Sequence, residues 1–337
     1  MDQNPLTIPA DLSFAPFVPR APWWGADLQT MSNYLRPRSA KLDSYASERL
    51  ELPLPDGTGD RLVATLSRPA TDDGKPLVVL IHGLSGSQSS TYILRTATHL
   101  LAAGYPVLRL NLRGAGLSRG LCRQQYHAGR TEDLAMMLAA LPAGTASSGI
   151  AVVGYSLGGN MLLKFVGEHG AASPVRAAVS VSAPIDLEAC SRRMLQRRNA
   201  VYQAYLMRNM RAEALAPIAD MTEPQRRAVR EARSIWDFDT HVTAPRNGFA
   251  GAEDFYRRNS AQHHLAGIRV PTLVIHALDD PWVPAEPYVA HDWRGNSNLM
   301  PLLAPKGGHV GFHGRDREAA WHDLAIARFL AAAFSPI

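Results

Sequence analysis

Residues 77–81 read Leu-Val-Val-Leu-Ile, an aliphatic run without polar interruption. A strand of this kind has no face to offer to water. It must be covered on both sides, as it is inside a mostly parallel sheet flanked by helices. The segment that follows places Ile93, Ala97, Leu100 and Leu101 at helical spacing and stops at Gly104, a residue suited to ending a helix. The alternation continues with strands over 105–110, 150–154, 175–182, 272–276 and 299–303, and with helices over 131–141, 157–168 and about 319–332. Ahead of the run, residues 48–53 and 61–68 alternate around Pro55-Asp56-Gly57, the pattern of a β-hairpin. Together these segments specify an α/β fold with a mostly parallel central sheet, flanking helices and right-handed crossovers.

One stretch breaks the rhythm. Between Ile185 and Ile268 no aliphatic strand occurs, and Leu195, Tyr202, Leu206 and Met210 recur at helical spacing. Because strands resume afterwards, the expected organisation is an N-terminal arm (1–45), a core (46–185 and 267–337) and a helical cap inserted at 186–266. A chain of 337 residues is long enough for one large core with such an attachment. The cap carries more Arg than Asp and Glu together, which favours substrates with an acyl chain and an anionic head group.

Composition narrows the function. Cys122 and Cys190 lie far apart, so neither a disulfide framework nor a zinc knuckle is indicated. The N-terminus lacks the layout of a secretory signal, and no apolar stretch approaches the ~20 residues of a membrane span. A cytoplasmic protein is expected, with peripheral contact to lipid still open to it. The net charge of +5 is scattered without a recognition motif, which argues against nucleic acid as a partner.

The chemistry concentrates at Gly154-Tyr155-Ser156-Leu157-Gly158-Gly159, between a buried strand and a helix. That context turns the common G-x-S-x-G pattern into a nucleophile elbow, with Ser156 as the nucleophile. A serine hydroxyl needs a base to take its proton and an acid to orient the base, in the chain order Ser, Asp or Glu, His. The acidic turn Asp279-Asp280 after one strand and Gly307-Gly308-His309 after the next satisfy that order. Acyl transfer also needs backbone donors for an oxyanion. Leu157, just after the serine, and Leu84, after His82-Gly83, are the candidates. The glycine-rich loop at 83–87 lacks the lysine of a phosphate cradle, so no nucleotide or other cofactor is expected. His263-His264 and the His309, His313 pair lack a matching ligand set, and no metal is expected. Arg113 reads as a loop brace, and Trp23-Trp24 as an apolar anchor for the arm.

With these residues in view, the sequence resembles the YheT-like α/β-hydrolases, a group that includes plant embryogenesis-associated proteins and animal abhydrolase-domain esterases and phospholipases. The resemblance rests on Trp24, Gly25, Leu28, Gln29 and Thr30, on the segments 82–87, 154–160, 277–281 and 307–312, and on Phe238-Asp239, Val242 to Pro245, Gly248-Phe249 and Phe255 to Arg257. It departs at Ser85, where relatives often carry an acid. The resemblance implies the α/β-hydrolase fold and a carboxylesterase-type serine hydrolase, acting without a diffusible cofactor on short- to medium-chain acyl esters or lipids. It also favours Asp280 over Asp279 as the orienting acid, because Asp280 precedes Pro281-Trp282-Val283-Pro284. Asp279 is then expected to brace the loop. An acyltransferase or thioesterase with the same triad, or a non-catalytic ligand-binding scaffold, remains the alternative reading. Halide displacement would need an aspartate at position 156.

Overall fold

The computed structural model describes residues 6–9, 11–35, 42–71, 73–315 and 319–335. Eight strands form one sheet: β1 (Ser47–Pro53), β2 (Arg61–Ser67), β3 (Leu77–Ile81), β4 (Val107–Leu110), β5 (Ile150–Tyr155), β6 (Ala177–Val181), β7 (Thr272–Ala277) and β8 (Leu299–Ala304). Their order is β1-β2-β4-β3-β5-β6-β7-β8. The hairpin β1-β2 joins β4 antiparallel, and every pairing from β4 to β8 is parallel. This is the mostly parallel α/β sheet that the aliphatic runs demand.

Covering both faces explains the composition of β3. Its odd residues, Leu77, Val79 and Ile81, pack with helices α3 (Thr131–Ala139) and α4 (Leu157–His169). Its even residues, Val78 and Leu80, pack with α2 (Thr91–Ala102) and the C-terminal helix Trp321–Ala333. The period-2 alternation of a strand thus feeds two cores at once, and neither side tolerates a polar residue. Two strands start later than their apolar patterns suggest. The N–H of Tyr105 closes the end of α2 on the carbonyl of Leu100 (2.9 Å), and that of Val175 is taken by Ser173 Oγ (3.1 Å). Neither amide is free to join the sheet ladder.

The long interval between β6 and β7 carries α5 (Leu187–Met194), α6 (Ala200–Ala214), α7 (Glu223–Glu231) and shorter helices including Ala252–Asn259. Met194, Leu206, Met210, Ile235 and Phe238 form an apolar cluster of their own, distinct from the two sheet-face cores. Leu206 and Met210 turn inward as their spacing suggests, and Tyr202 is half-buried against the same cluster with its hydroxyl bonded to Asp27, whereas Leu195 is exposed. In the arm, α1 (Ala26–Leu35) packs against the core, and the tryptophan pair divides. Trp23 is buried and Trp24 is 63% exposed, so only Trp23 anchors the arm.

Arg113 is the main polar brace of the core. Its fully buried guanidinium bonds Asp133 through Nε and Nη2, Asp60 through Nη1 (2.9 Å) and Asp56 through Nη2 (2.6 Å). The hairpin turn, the loop after β4 and the start of α3 therefore share one cation. Removing it leaves Asp56 and Asp60 without a counter-charge among the described residues and Asp133 with Arg130 alone (3.1 Å), and Arg113→Met should lower the free energy of unfolding by about 3–5 kcal/mol. Urea denaturation midpoints of the two proteins measure this loss.

Candidate active site

Ser156 sits between β5 and α4 with φ 52 and ψ −122, a left-handed backbone that a serine adopts only when its surroundings force it. The surroundings are close. A Cβ on Gly154 would lie 2.4 Å from the Gly158 carbonyl oxygen, and one on Gly158 would lie 2.5 Å from that of His82. Gly83 approaches from the neighbouring strand end, where a Cβ would meet that of Ser156 at 2.9 Å. The serine N–H is tied to the Val181 carbonyl at 2.8 Å.

The parallel strands end on the same side, so the loops after β7 and β8 reach this turn. His309 Nε2 lies 2.9 Å from Ser156 Oγ, and His309 Nδ1 donates to Asp280 Oδ2 at 2.8 Å. The other carboxylate oxygen of Asp280 accepts from the N–H groups of Trp282 (2.8 Å) and Val283 (3.0 Å). Burial opposes the charge of Asp280, yet His309 and these donors hold its carboxyl below the ordinary carboxylate range. Asp279 does not reach the histidine. It accepts from Gly308 N–H at 2.9 Å, and burial raises its carboxyl.

In the loop after β3, Gly83 N–H donates to the Tyr92 hydroxyl (2.9 Å) and Ser85 N–H to the Tyr126 hydroxyl (2.7 Å). The N–H groups of Leu84 and Leu157 have no acceptor among the described residues, and both residues line the cavity beside Ser156. His82 fixes this loop to the next strand: its Nε2 accepts from Leu112 N–H (3.1 Å), and burial lowers its pKa to about 4, keeping the ring neutral. The cavity has a volume of about 710 Å³. Met194, Leu206, Met210, Ile235 and Phe238 give it an apolar wall, while Gln124, Gln125, Arg130, Arg246 and Asn247 give it a polar one.

Several contributors carry no mark in the sequence that ties them to the site. Thr30 Oγ1 accepts from His309 N–H (2.9 Å), and Asn33 donates to the Val310 carbonyl (2.9 Å). Gln29 accepts from His313 N–H (2.7 Å). Helix α1 thus holds the histidine loop from behind. It comes so near that a Cβ on Gly308 would lie 2.4 Å from the Ala26 carbonyl oxygen, and one on Gly311 2.6 Å from that of Gln29. Trp282 stacks on His309, with ring centroids 4.3 Å apart. Gln29 and Thr30 stand out in the sequence as a motif, but no spacing rule ties them to a loop some 280 residues away. Among the described residues no cluster of three or more His, Cys, Asp or Glu is arranged to hold a metal ion.

Comparison with known proteins follows the same lines. A family model described as alpha/beta hydrolase fold matches residues 76–316. Over 311 residues the chain is 37% identical to the YheT protein of Escherichia coli (strain K12), which carries a provisional esterase name; 90% of this chain and 88% of that one are covered. It is 27% identical over 271 residues to a monoacylglycerol lipase of Saccharomyces cerevisiae (strain ATCC 204508 / S288c), covering 77% of this chain but only 60% of the relative. Among solved structures, an esterase of Pyrococcus furiosus matches over 96% of this chain and 100% of that one, with a TM-score of 0.59. At 16% identity that likeness is one of fold alone.

One carboxyl on the cavity wall has a consequence for stability. Burial raises Glu213 to about 7 from 4.5, against the opposing influence of Arg119 (3.6 Å) and the Tyr126 hydroxyl (3.2 Å). The folded pKa lies above the unfolded one, so the protonated group favours folding below pH 4.5, and this advantage is lost as pH rises through 7. Between those limits wild type should lose up to about 3 kcal/mol of stability relative to Glu213→Gln. Denaturation midpoints of both proteins across that pH range give the comparison.

Proposed function

Since the chain belongs to the α/β-hydrolase fold family, and within it to the YheT-like group, we propose that it is a serine esterase working through an acyl-enzyme on Ser156. The observation that carries this reading is the hydrogen-bonded line Ser156, His309, Asp280 at the floor of a cavity with two unclaimed backbone N–H groups beside it. Ser156 Oγ attacks the ester carbonyl while His309 Nε2 takes its proton, and the negative oxygen that forms turns toward Leu84 and Leu157 N–H. The C–O bond to the alcohol then breaks, and His309 returns its proton to the leaving oxygen. Water, deprotonated by the same nitrogen, releases the acid and restores Ser156. Asp280 keeps the imidazole in the tautomer that presents Nε2 to the serine. In this reading the segment 186–266 serves as a cap, and its apolar wall takes an acyl chain of short to medium length. A lipid ester fits the same wall, and the name of the yeast relative is consistent with that class.

A fluorophosphonate probe should label wild type and not Ser156→Ala, and a p-nitrophenyl ester series should show hydrolysis. Turnover should fall by roughly 10⁴–10⁶ in Ser156→Ala and by about 10⁴ in Asp280→Asn. Asp279→Asn should cost less than about tenfold, since that side chain only tethers the loop. Undiminished turnover in Ser156→Ala would refute the mechanism.

The role of α1 has its own test. Thr30→Val keeps the shape of the side chain but removes the acceptor for His309 N–H. Because small displacements of a catalytic group are expensive, kcat should fall by about tenfold with KM unchanged. Thr30→Ser should restore it, which a change in overall packing would not explain.

A further inference from the structure

We propose that the outward faces of α1 and α6 form a docking surface for an anionic lipid membrane, at the mouth of the cavity. The proposal rests on the lipid-ester reading for its purpose, but its evidence is independent of the catalytic residues.

Helix α1 has two unlike sides. Gln29, Thr30 and Asn33 face the histidine loop, while Leu28, Met31 and Leu35 recur at three- and four-residue spacing and are exposed, as is Trp24 just ahead of the helix. Leu35 is 55% exposed. Helix α6 repeats the design, with Leu206, Met207 and Met210 inward and Val201 and Tyr205 outward, Val201 being 80% exposed. The two helices meet at two points. Asp27 accepts from the Tyr202 hydroxyl (2.9 Å) and from Arg198 (3.2 Å), and about two turns on along α1 and one along α6 Tyr34 and Tyr205 meet edge to face at 5.5 Å. Their outward stripes are therefore neighbours on one surface.

Apolar residues gathered in this way are unfavourable in water and mark a surface that meets another phase or partner. Tryptophan and tyrosine suit a lipid interface, where an apolar ring body and a polar edge find different surroundings. The charges select the occupant. Arg208 is exposed on α6 three residues after Tyr205, Arg197 is exposed in the short 3-10 turn that leads into α6 four residues before Val201, and neither has a carboxylate partner among the described residues. The acids of the two helices are Asp27, paired with Arg198, and Glu213, which is buried. The outward charge is thus positive, which complements anionic head groups. Two copies of this face would set arginine near arginine, so a second copy of the chain is the poorer occupant. Tyr34 and Tyr205 also line the cavity, so a membrane seated on the patch borders the path to Ser156.

The experiment is vesicle flotation of the full chain with phosphatidylcholine alone and with phosphatidylcholine plus phosphatidylglycerol. Wild type should float with the anionic vesicles and much less with the neutral ones. Leu28→Glu and Val201→Glu should each weaken flotation by on the order of tenfold, and Arg197→Glu and Arg208→Glu by about fivefold each at low salt. All four should hydrolyse a soluble acetyl ester at the wild-type rate, which shows that they are folded. Failure of wild type to float with either vesicle, or flotation unaffected by Leu28→Glu, would overturn the proposal. So would concentration-dependent dimerisation abolished by Leu28→Glu, which would assign the face to a second copy. Flotation without hydrolysis of any ester would leave the docking surface standing and remove the esterase reading instead.

Discussion

The strained turn at Ser156 is the constraint around which the other parts are arranged. A left-handed serine between a buried strand and a helix holds its conformation only because three backbones crowd it, and each crowding position is a glycine. Gly154 and Gly158 let the chain reverse on itself, and Gly83 lets the loop after β3 lie against the serine. That approach brings Leu84, Ser156 and Leu157 to the lining of one cavity.

The histidine depends on a different device. Its loop leaves β8 through two glycines with positive φ and contains Val310 and Phe312 in left-handed backbone as well. Strain of this kind persists only where surrounding contacts over-determine it. Here they come from α1, from Asp279 and from Ser182 Oγ, which accepts from Val310 N–H at 3.2 Å. Gly308 and Gly311 are small because α1 lies against them, and the bend of the loop is only part of their reason. The N-terminal segment is thereby built into the site, and its Thr30, Asn33 and Tyr34 line the cavity.

The insertion joins the core through polar links as well as apolar packing. Tyr126 accepts from Ser85 N–H and donates to Glu213 of α6, so one hydroxyl couples the loop beside Ser156 to the helix above it. Leu84 and Trp282 pack against the apolar cluster of the insertion, and Leu157 packs against a second one around Phe255. Both residues with unclaimed N–H groups therefore pack against clusters built largely from residues between β6 and β7.

The sequence by itself determined what depends on neighbours along the chain. Aliphatic runs, helical spacing and the turn at Pro55-Asp56-Gly57 specified the strands, most helices and the parallel class of the sheet, because burial on two faces leaves a direct mark on composition. The glycines around Ser156 were legible for the same reason, since a sharp turn excludes side chains locally. Strand-end geometry made Asp279-Asp280 and His309 candidates and the family resemblance favoured Asp280, but the direction each side chain takes is not written locally. Only the tertiary structure decided that Asp280 faces the histidine, that Arg113 gathers three aspartates, that Trp23 is buried while Trp24 is exposed, and that α1 stands behind His309. Each of these turns on which distant segments touch, and a local pattern records that a residue is polar or apolar without recording what it will meet.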